Sequence, residues 1–191
     1  MNAVAATLTA PNDLLTGTEW NAAQIRELFQ LAADVKAQPD RYRAALAGRS
    51  FALIFEKPSL RTRVTFEVGI ASLGGSSVFM DHTVTHLGER ESVPDVAKCL
   101  ERWVQGIVAR VFEQRTLDEL AANARVPVVN ALSERFHPCQ ALADFFTLEE
   151  RFGSVRALRE ATPDQIAKLE GFSLKLGERV LAALRKQPAE G

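Results

Sequence analysis

"FEKPSLRTRVTFE", residues 55–67, closes a short apolar run and opens a stretch with the texture of a helix. The run itself, "SFALIF" (residues 50–55), is aromatic-rich and of strand length. Pro58 breaks it, and a helix is expected from Arg63 to Leu73 through Val64, Phe66, Val68 and Ile70. At the junction stand Ser59, Arg61, Thr62 and Arg63. A solvated turn ahead of an amphipathic helix would tolerate these residues. A pocket for a dianion would require them: the N–H groups and dipole at a helix start favour negative charge, and arginine offers a bidentate fork to phosphate.

Working outward, strand and helix alternate. "TGTEWNAAQIRELFQLAADVKAQ" is expected to be a helix capped at Thr18 or Asn21, burying Ile25, Leu28, Phe29 and Ala32. Beyond Gly74-Gly75 come the strand "SSVFMD", a helix "SVPDVAKCLERWV" capped by Ser92, and the strand "GIVARVF". A helix "TLDELAANA" capped by Thr116 follows, then the strand "VPVVNAL" and a longer helix with Pro138 in its first turn. This order predicts an α/β domain: a parallel sheet flanked by helices on both faces, over residues 1–150. In such sheets ligands gather beyond the carboxyl ends of the strands.

Residues 151–191 differ. They contain no strand-like run and read as short helices, Val155–Arg159, Pro163–Leu169 and Leu174–Leu184, with a tight turn at Gly171-Phe172-Ser173. Thr162 with Gln165 forms a capping-box pattern. From Arg151 to Gly191 there are eight Lys/Arg against five Asp/Glu, whereas the whole chain has a net charge of −1. That asymmetry suggests two units of different origin.

A net charge so near zero gives no global case for nucleic acid or an anionic membrane. Two cysteines, Cys99 and Cys139, make no disulfide framework and suit a reducing compartment. The first residues carry no signal-peptide pattern, and no apolar run approaches the roughly 20 residues that span a bilayer. A cytoplasmic protein without metal or cofactor is expected.

Two further strand ends deliver polar groups to the same rim. "ARVF" places Arg110 at the end of an apolar run, and "FHPCQ" places His137 and Gln140 at the start of a helix. Taken singly, each is an ordinary surface arginine or helix-capping histidine. Three such sites on successive strands of one parallel sheet point to a common pocket.

In this order, "FEKPSLRTRVTFE", "LGERES", "GIVARVF" and "FHPCQALADFFTLEE" resemble the ornithine-type carbamoyltransferases, over roughly Asp13 to Gly153. The resemblance implies the carbamoyl-phosphate half of such an enzyme. Ser59, the backbone of Leu60, Arg61 and Thr62 would hold phosphate, and Arg110 would bridge phosphate and carbonyl oxygen. His137 would polarise the carbonyl, Gln140 would accept the carbamoyl amide, and Arg63 would be structural. It further implies a homotrimer in which His86 occupies the position of a glutamine reaching in from a neighbouring protomer. Leu60 stands where the family usually has threonine, which keeps an N–H but loses a hydroxyl. The ornithine half, with its Asp, Ser-Met-Gly and His-Cys-Leu-Pro signatures, has no counterpart here, so little or no citrulline formation is expected from this chain alone.

The tail, residues 151–187, resembles the helix-hairpin-helix that ends the incising nuclease of bacterial excision repair. On that resemblance Gly171 and Ser173 would grip a DNA phosphate, and Lys175 and Arg179 would assist. The alternative is a hairpin that only packs against protein. The join at "ERFGS" suits either parent, which suggests a chimaera or a fusion.

Overall fold

The computed structural model describes residues 13–81, 87, 88 and 90–186, which fall into two compact units, one ending at Gln140 and one beginning at Ala141. The first holds a sheet of four strands among the described residues: β1 (Ser50–Phe55), β2 (Ser76–Asp81), β3 (Gly106–Arg110) and β4 (Val128–Leu132). All pairings are parallel, in the order β2-β1-β3-β4. Parallel neighbours need crossover connections, and α2 (Leu60–Ser72), α3 (Val93–Leu100) and α4 (Gln114–Asn123) lie in them.

Alternation along β1 sorts the core onto two faces. Ala52 and Ile54 pack with Val93 and Ala97 of α3 and with Leu117 and Leu120 of α4. Leu53 and Phe55 pack with Ile70 and Phe66 of α2, and with Val108 and Ala131. Helices therefore cover both faces, as the alternation of elements predicts. Asp13 and Leu14 lie beside β4: Leu14 N–H donates to the Val128 carbonyl at 2.9 Å, and Asp13 Oδ1 accepts from Val128 N–H at 2.8 Å.

The helix starts show local and distant chemistry competing. Helix α1 (Ala22–Ala37) starts at Asn21, which forms a reciprocal capping box with Gln24, so Asn21 rather than Thr18 is the cap. Ile25, Leu28, Phe29 and Ala32, expected as its buried stripe, are only half-buried among the described residues. Helix α2 starts three residues earlier than its spacing predicts, because Ser59 is extended (φ −160°, ψ 106°) and caps it. Helix α4 starts at Gln114, so Thr116 lies inside its first turn and is not its cap. The Gln114 N–H is taken instead by Glu134 Oε2 at 2.6 Å, a carboxylate twenty residues away that no local pattern reveals.

Beyond β4 the described elements are all helical: α5 (Pro138–Phe152), α6 (Val155–Glu160), α7 (Pro163–Ala167) and α8 (Leu174–Lys186). The second unit has a small core of its own, Leu148, Leu158, Ile166 and Leu181, flanked by Phe152, Leu169, Phe172 and Val180. Thr162 and Gln165 form the expected capping box at α7. Gly177 of α8 is buried; a Cβ there would lie 2.9 Å from the Pro163 carbonyl oxygen, so glycine permits this approach of α8 to α7.

Candidate functional site

The strand order carries a topological switch. From β1 the chain moves to β2 on one side, then returns across the sheet to β3 on the other. At the carboxyl ends of β1 and β3 the following segments therefore diverge, and in open α/β sheets this is the position of the ligand-binding crevice. Phe55 of β1 lies opposite Arg110 of β3, and Arg110 lies opposite Leu132 of β4, past a register shift between Ala109 and Arg110. The segments that begin at Glu56, Val111 and Ser133 therefore leave the sheet at the same level.

Ser59–Thr62 leave β1 there and become the first turn of α2. Ser59 Oγ donates to Thr62 Oγ1 at 2.9 Å and accepts from Thr62 N–H at 3.4 Å. The N–H groups of Leu60 and Arg61 lie in the first turn, where the helix itself supplies no acceptor. The Leu60 side chain is 79% exposed, so this position can offer a ligand its backbone.

Two of the nearby arginines are unspent. Arg61 is exposed, Arg110 is half-buried, and neither forms an ion pair among the described residues. The Arg110 Nε is buried and bonds nothing, and burial lowers its guanidinium pKa from the ordinary value. A partly desolvated cation with no ion-pair partner among the described residues favours an anion beside it. Arg63 differs: its Nε bonds Glu67 Oε1 at 3.0 Å and its guanidinium lies 3.5 Å from the Phe79 ring centroid. That occupies it structurally, as expected.

His137 and Gln140 follow β4, His137 half-buried and Gln140 exposed, with the buried ring of Pro138 between them opening α5. The structure thus brings Ser59, Leu60, Arg61, Thr62, Arg110, His137 and Gln140 to one edge of three adjacent strands. His86 lies outside the described residues. Gly171, Ser173, Lys175 and Arg179 belong to the second unit.

Two carboxylates missed by the sequence reading hold the loop after Arg110. Glu56 Oε2 accepts from Phe112 N–H at 2.6 Å, while Glu134 caps Gln114. Their only sequence signal is an acidic residue one or two positions past a strand end. A cavity of ≈ 220 Å³ lies elsewhere, lined by Met80, Leu87, Arg90, Glu91, Val96, Cys99 and Leu100. Its wall is mostly apolar and includes none of the residues on the crevice rim. Among the described residues, no helix is long and apolar enough to cross a membrane, and no cluster of His, Cys, Asp and Glu could hold a metal ion.

Residues 12–150 match the family described as "Aspartate/ornithine carbamoyltransferase, carbamoyl-P binding domain". The chain belongs to this family. It is 52% identical over 155 residues to the ornithine carbamoyltransferase of Thermus thermophilus, covering 81% of this chain and 51% of that protein. The ornithine carbamoyltransferase of Deinococcus radiodurans is 48% identical over 146 residues, 76% of this chain and 47% of that protein. The crystal structure of the Thermus thermophilus protein superposes with a TM-score of 0.71 over 76% of this chain and 50% of that one. The Pyrococcus furiosus ornithine carbamoyltransferase, 39% identical, gives 0.73 over 76% of this chain and 47% of its own. The chain spans about half the length of the curated relatives it matches.

Within this family domain the two cysteines differ in exposure, Cys139 being the more enclosed. Cys99 is exposed. Burial pushes the Cys139 thiol up to about 11, and its S–H donates to the Asn130 carbonyl at 3.4 Å. At pH 8 a thiol of that pKa is ionised to only about one part in a thousand. A disulfide reagent at pH 8 is therefore expected to modify one thiol per folded chain, Cys99, and the second only after denaturation. Rapid modification of both in the folded protein would contradict the burial of Cys139.

Proposed function

We propose that the crevice between β1 and β3 binds carbamoyl phosphate. Ser59, the N–H groups of Leu60 and Arg61, the Arg61 guanidinium and Thr62 hold the phosphate. Arg110 bridges phosphate and carbonyl oxygen, His137 polarises the carbonyl, and Gln140 accepts from the carbamoyl amide. The observation that carries this reading is a pair of guanidiniums, Arg61 and half-buried Arg110, that form no ion pair among the described residues and follow strand ends at the switch point, Arg61 in the first turn of a helix. The chemistry such a site supports is attack of an amine on the carbonyl carbon with phosphate leaving. Fixed positive charge stabilises both the developing oxyanion and the leaving group. The named relatives are ornithine carbamoyltransferases, so the amine partner proposed is ornithine, giving citrulline. The 191 residues contain none of the signatures of an ornithine-binding half, so this chain alone is proposed to bind without turnover.

Calorimetric titration tests the reading. Carbamoyl phosphate should bind saturably and compete with inorganic phosphate, and Arg61→Ala or Arg110→Met should weaken it at least tenfold, the loss of a charged hydrogen-bond donor. Citrulline should not accumulate when ornithine is added. Absence of binding in the parent protein, or turnover comparable to a full-length relative, would sink it.

The first unit is further proposed to assemble as a homotrimer. Leu60, Val64 and Val68 stand one turn apart along α2 and are 79%, 45% and 57% exposed, an apolar stripe that self-association would cover. Light scattering should report three times the 21.0 kDa chain mass; a single-chain mass at micromolar concentration would refute it.

A second reading concerns the other unit, proposed as a helix-hairpin-helix that binds duplex DNA weakly. Supporting it are the left-handed turn at Gly171 (φ +86°), the Ser173 hydroxyl accepting from Leu176 N–H at 3.2 Å, and the exposed Lys175 and Arg179 one turn apart. Fluorescence anisotropy with a duplex at low salt should show binding that falls steeply as salt rises. Lys175→Ala with Arg179→Ala should abolish it, and no change in that double variant would assign the hairpin a purely structural role. A composite origin for the chain, by chimaera or fusion, is compatible with this reading and rests on the change of texture at residue 151.

A further inference from the structure

The polar side chains buried among the described residues are Gln114, Asn130 and Ser133, and all three belong to one cluster behind the crevice. Gln114 Oε1 accepts from Ser133 Oγ–H at 2.7 Å and, more distantly, from Asn130 Nδ2–H at 3.4 Å. Gln114 Nε2 donates to Asp118 Oδ1 at 3.0 Å. Asn130 Nδ2 also donates to the Leu15 carbonyl at 2.7 Å.

Ser133 is the pivot. Its hydroxyl proton goes to Gln114, and its oxygen accepts from Phe136 N–H at 3.0 Å and Arg135 N–H at 3.2 Å. Its own N–H donates to the Phe136 carbonyl at 2.9 Å. The turn 133–136, which ends one residue before His137, is thus wound around one oxygen whose direction a buried amide sets. Gln114 opens α4, four residues after Arg110, and its N–H is held by Glu134 of the same turn at 2.6 Å. The Arg110 loop and the His137 turn are joined twice, by a buried side-chain pair and by a carboxylate cap.

Apolar side chains of similar volume could fill this space, but they would not fix the direction of a turn; buried polar networks do. We propose that Gln114 and Ser133 are positioning residues of the carbamoyl phosphate site, their hydrogen bond holding His137 in register with Arg110. This rests on the reading of the crevice given above. The pair acts on the carbonyl side of the ligand, through His137, and leaves the phosphate grip of Ser59–Thr62 untouched.

That division makes the proposal testable in the full chain. The imidazole ¹H–¹³C signals of His137, identified by their loss in His137→Asn, report its position directly. Ser133→Ala and Gln114→Met should each move those signals, and Ser133→Thr, which restores the hydroxyl, should return them. Carbamoyl phosphate affinity should fall about tenfold in the first two variants, while inorganic phosphate affinity changes less than twofold. A purely stabilising pair would weaken both ligands equally, and that result overturns the proposal, as do unmoved His137 signals. If the parent protein binds neither ligand, the carbamoyl phosphate reading falls, and the imidazole signals alone decide whether the pair positions His137.

Discussion

The parallel pairing of β1 with β3 places Phe55 beside Arg110 and parts the chain's route on either side of that seam. A parallel sheet must send every strand's carboxyl end to one edge, and a change in winding direction must leave a gap there. Neither feature depends on the side chains that later line the gap. Once β1 and β3 are neighbours, the residues following them meet across a crevice, and β4 adds a third contributor from the next position.

The same geometry divides labour among the arginines. Arg110 ends β3 at the edge of the apolar layer, so its Nε is buried, and it forms no ion pair among the described residues. Arg63, one turn into α2, lies over Phe79 and beside Glu67. Two positions along the helix separate Arg61, which forms no ion pair among the described residues, from Arg63, which is partnered on one side. Around them Glu56 and Glu134 bind backbone N–H groups, which keeps acidic side chains near the rim occupied with peptide donors.

How much of this could be read beforehand varies with the range of the interaction. The four strands, the caps at Ser92 and Thr162, and the placement of Ser59, Arg110 and His137 at or just past strand ends were legible because each depends on a few consecutive residues; at α1 the same local chemistry left Thr18 and Asn21 open, and Asn21 is the cap. The start of α4 was misread: Thr116 has the local chemistry of a cap, yet a carboxylate from the turn after β4 captures the helix start two residues earlier. Asn130 looks like an interruption in an apolar strand, and Ser133 like an ordinary residue past its end, until Gln114 is seen bonded to both. Helix α1 failed in another way. Its amphipathic pattern is real, but burial belongs to a pair of surfaces and cannot be read from one of them.

The exposed side chain of Leu60 has a consequence for how the chain can vary. In the first turn of α2 a ligand can meet this residue through its N–H, a group common to every amino acid but one. Chemical information is then stored in backbone conformation, set by the Ser59 cap, and the side chain at position 60 is released to another use, the apolar stripe it shares with Val64 and Val68. Proline alone is barred, because it would erase the donor itself.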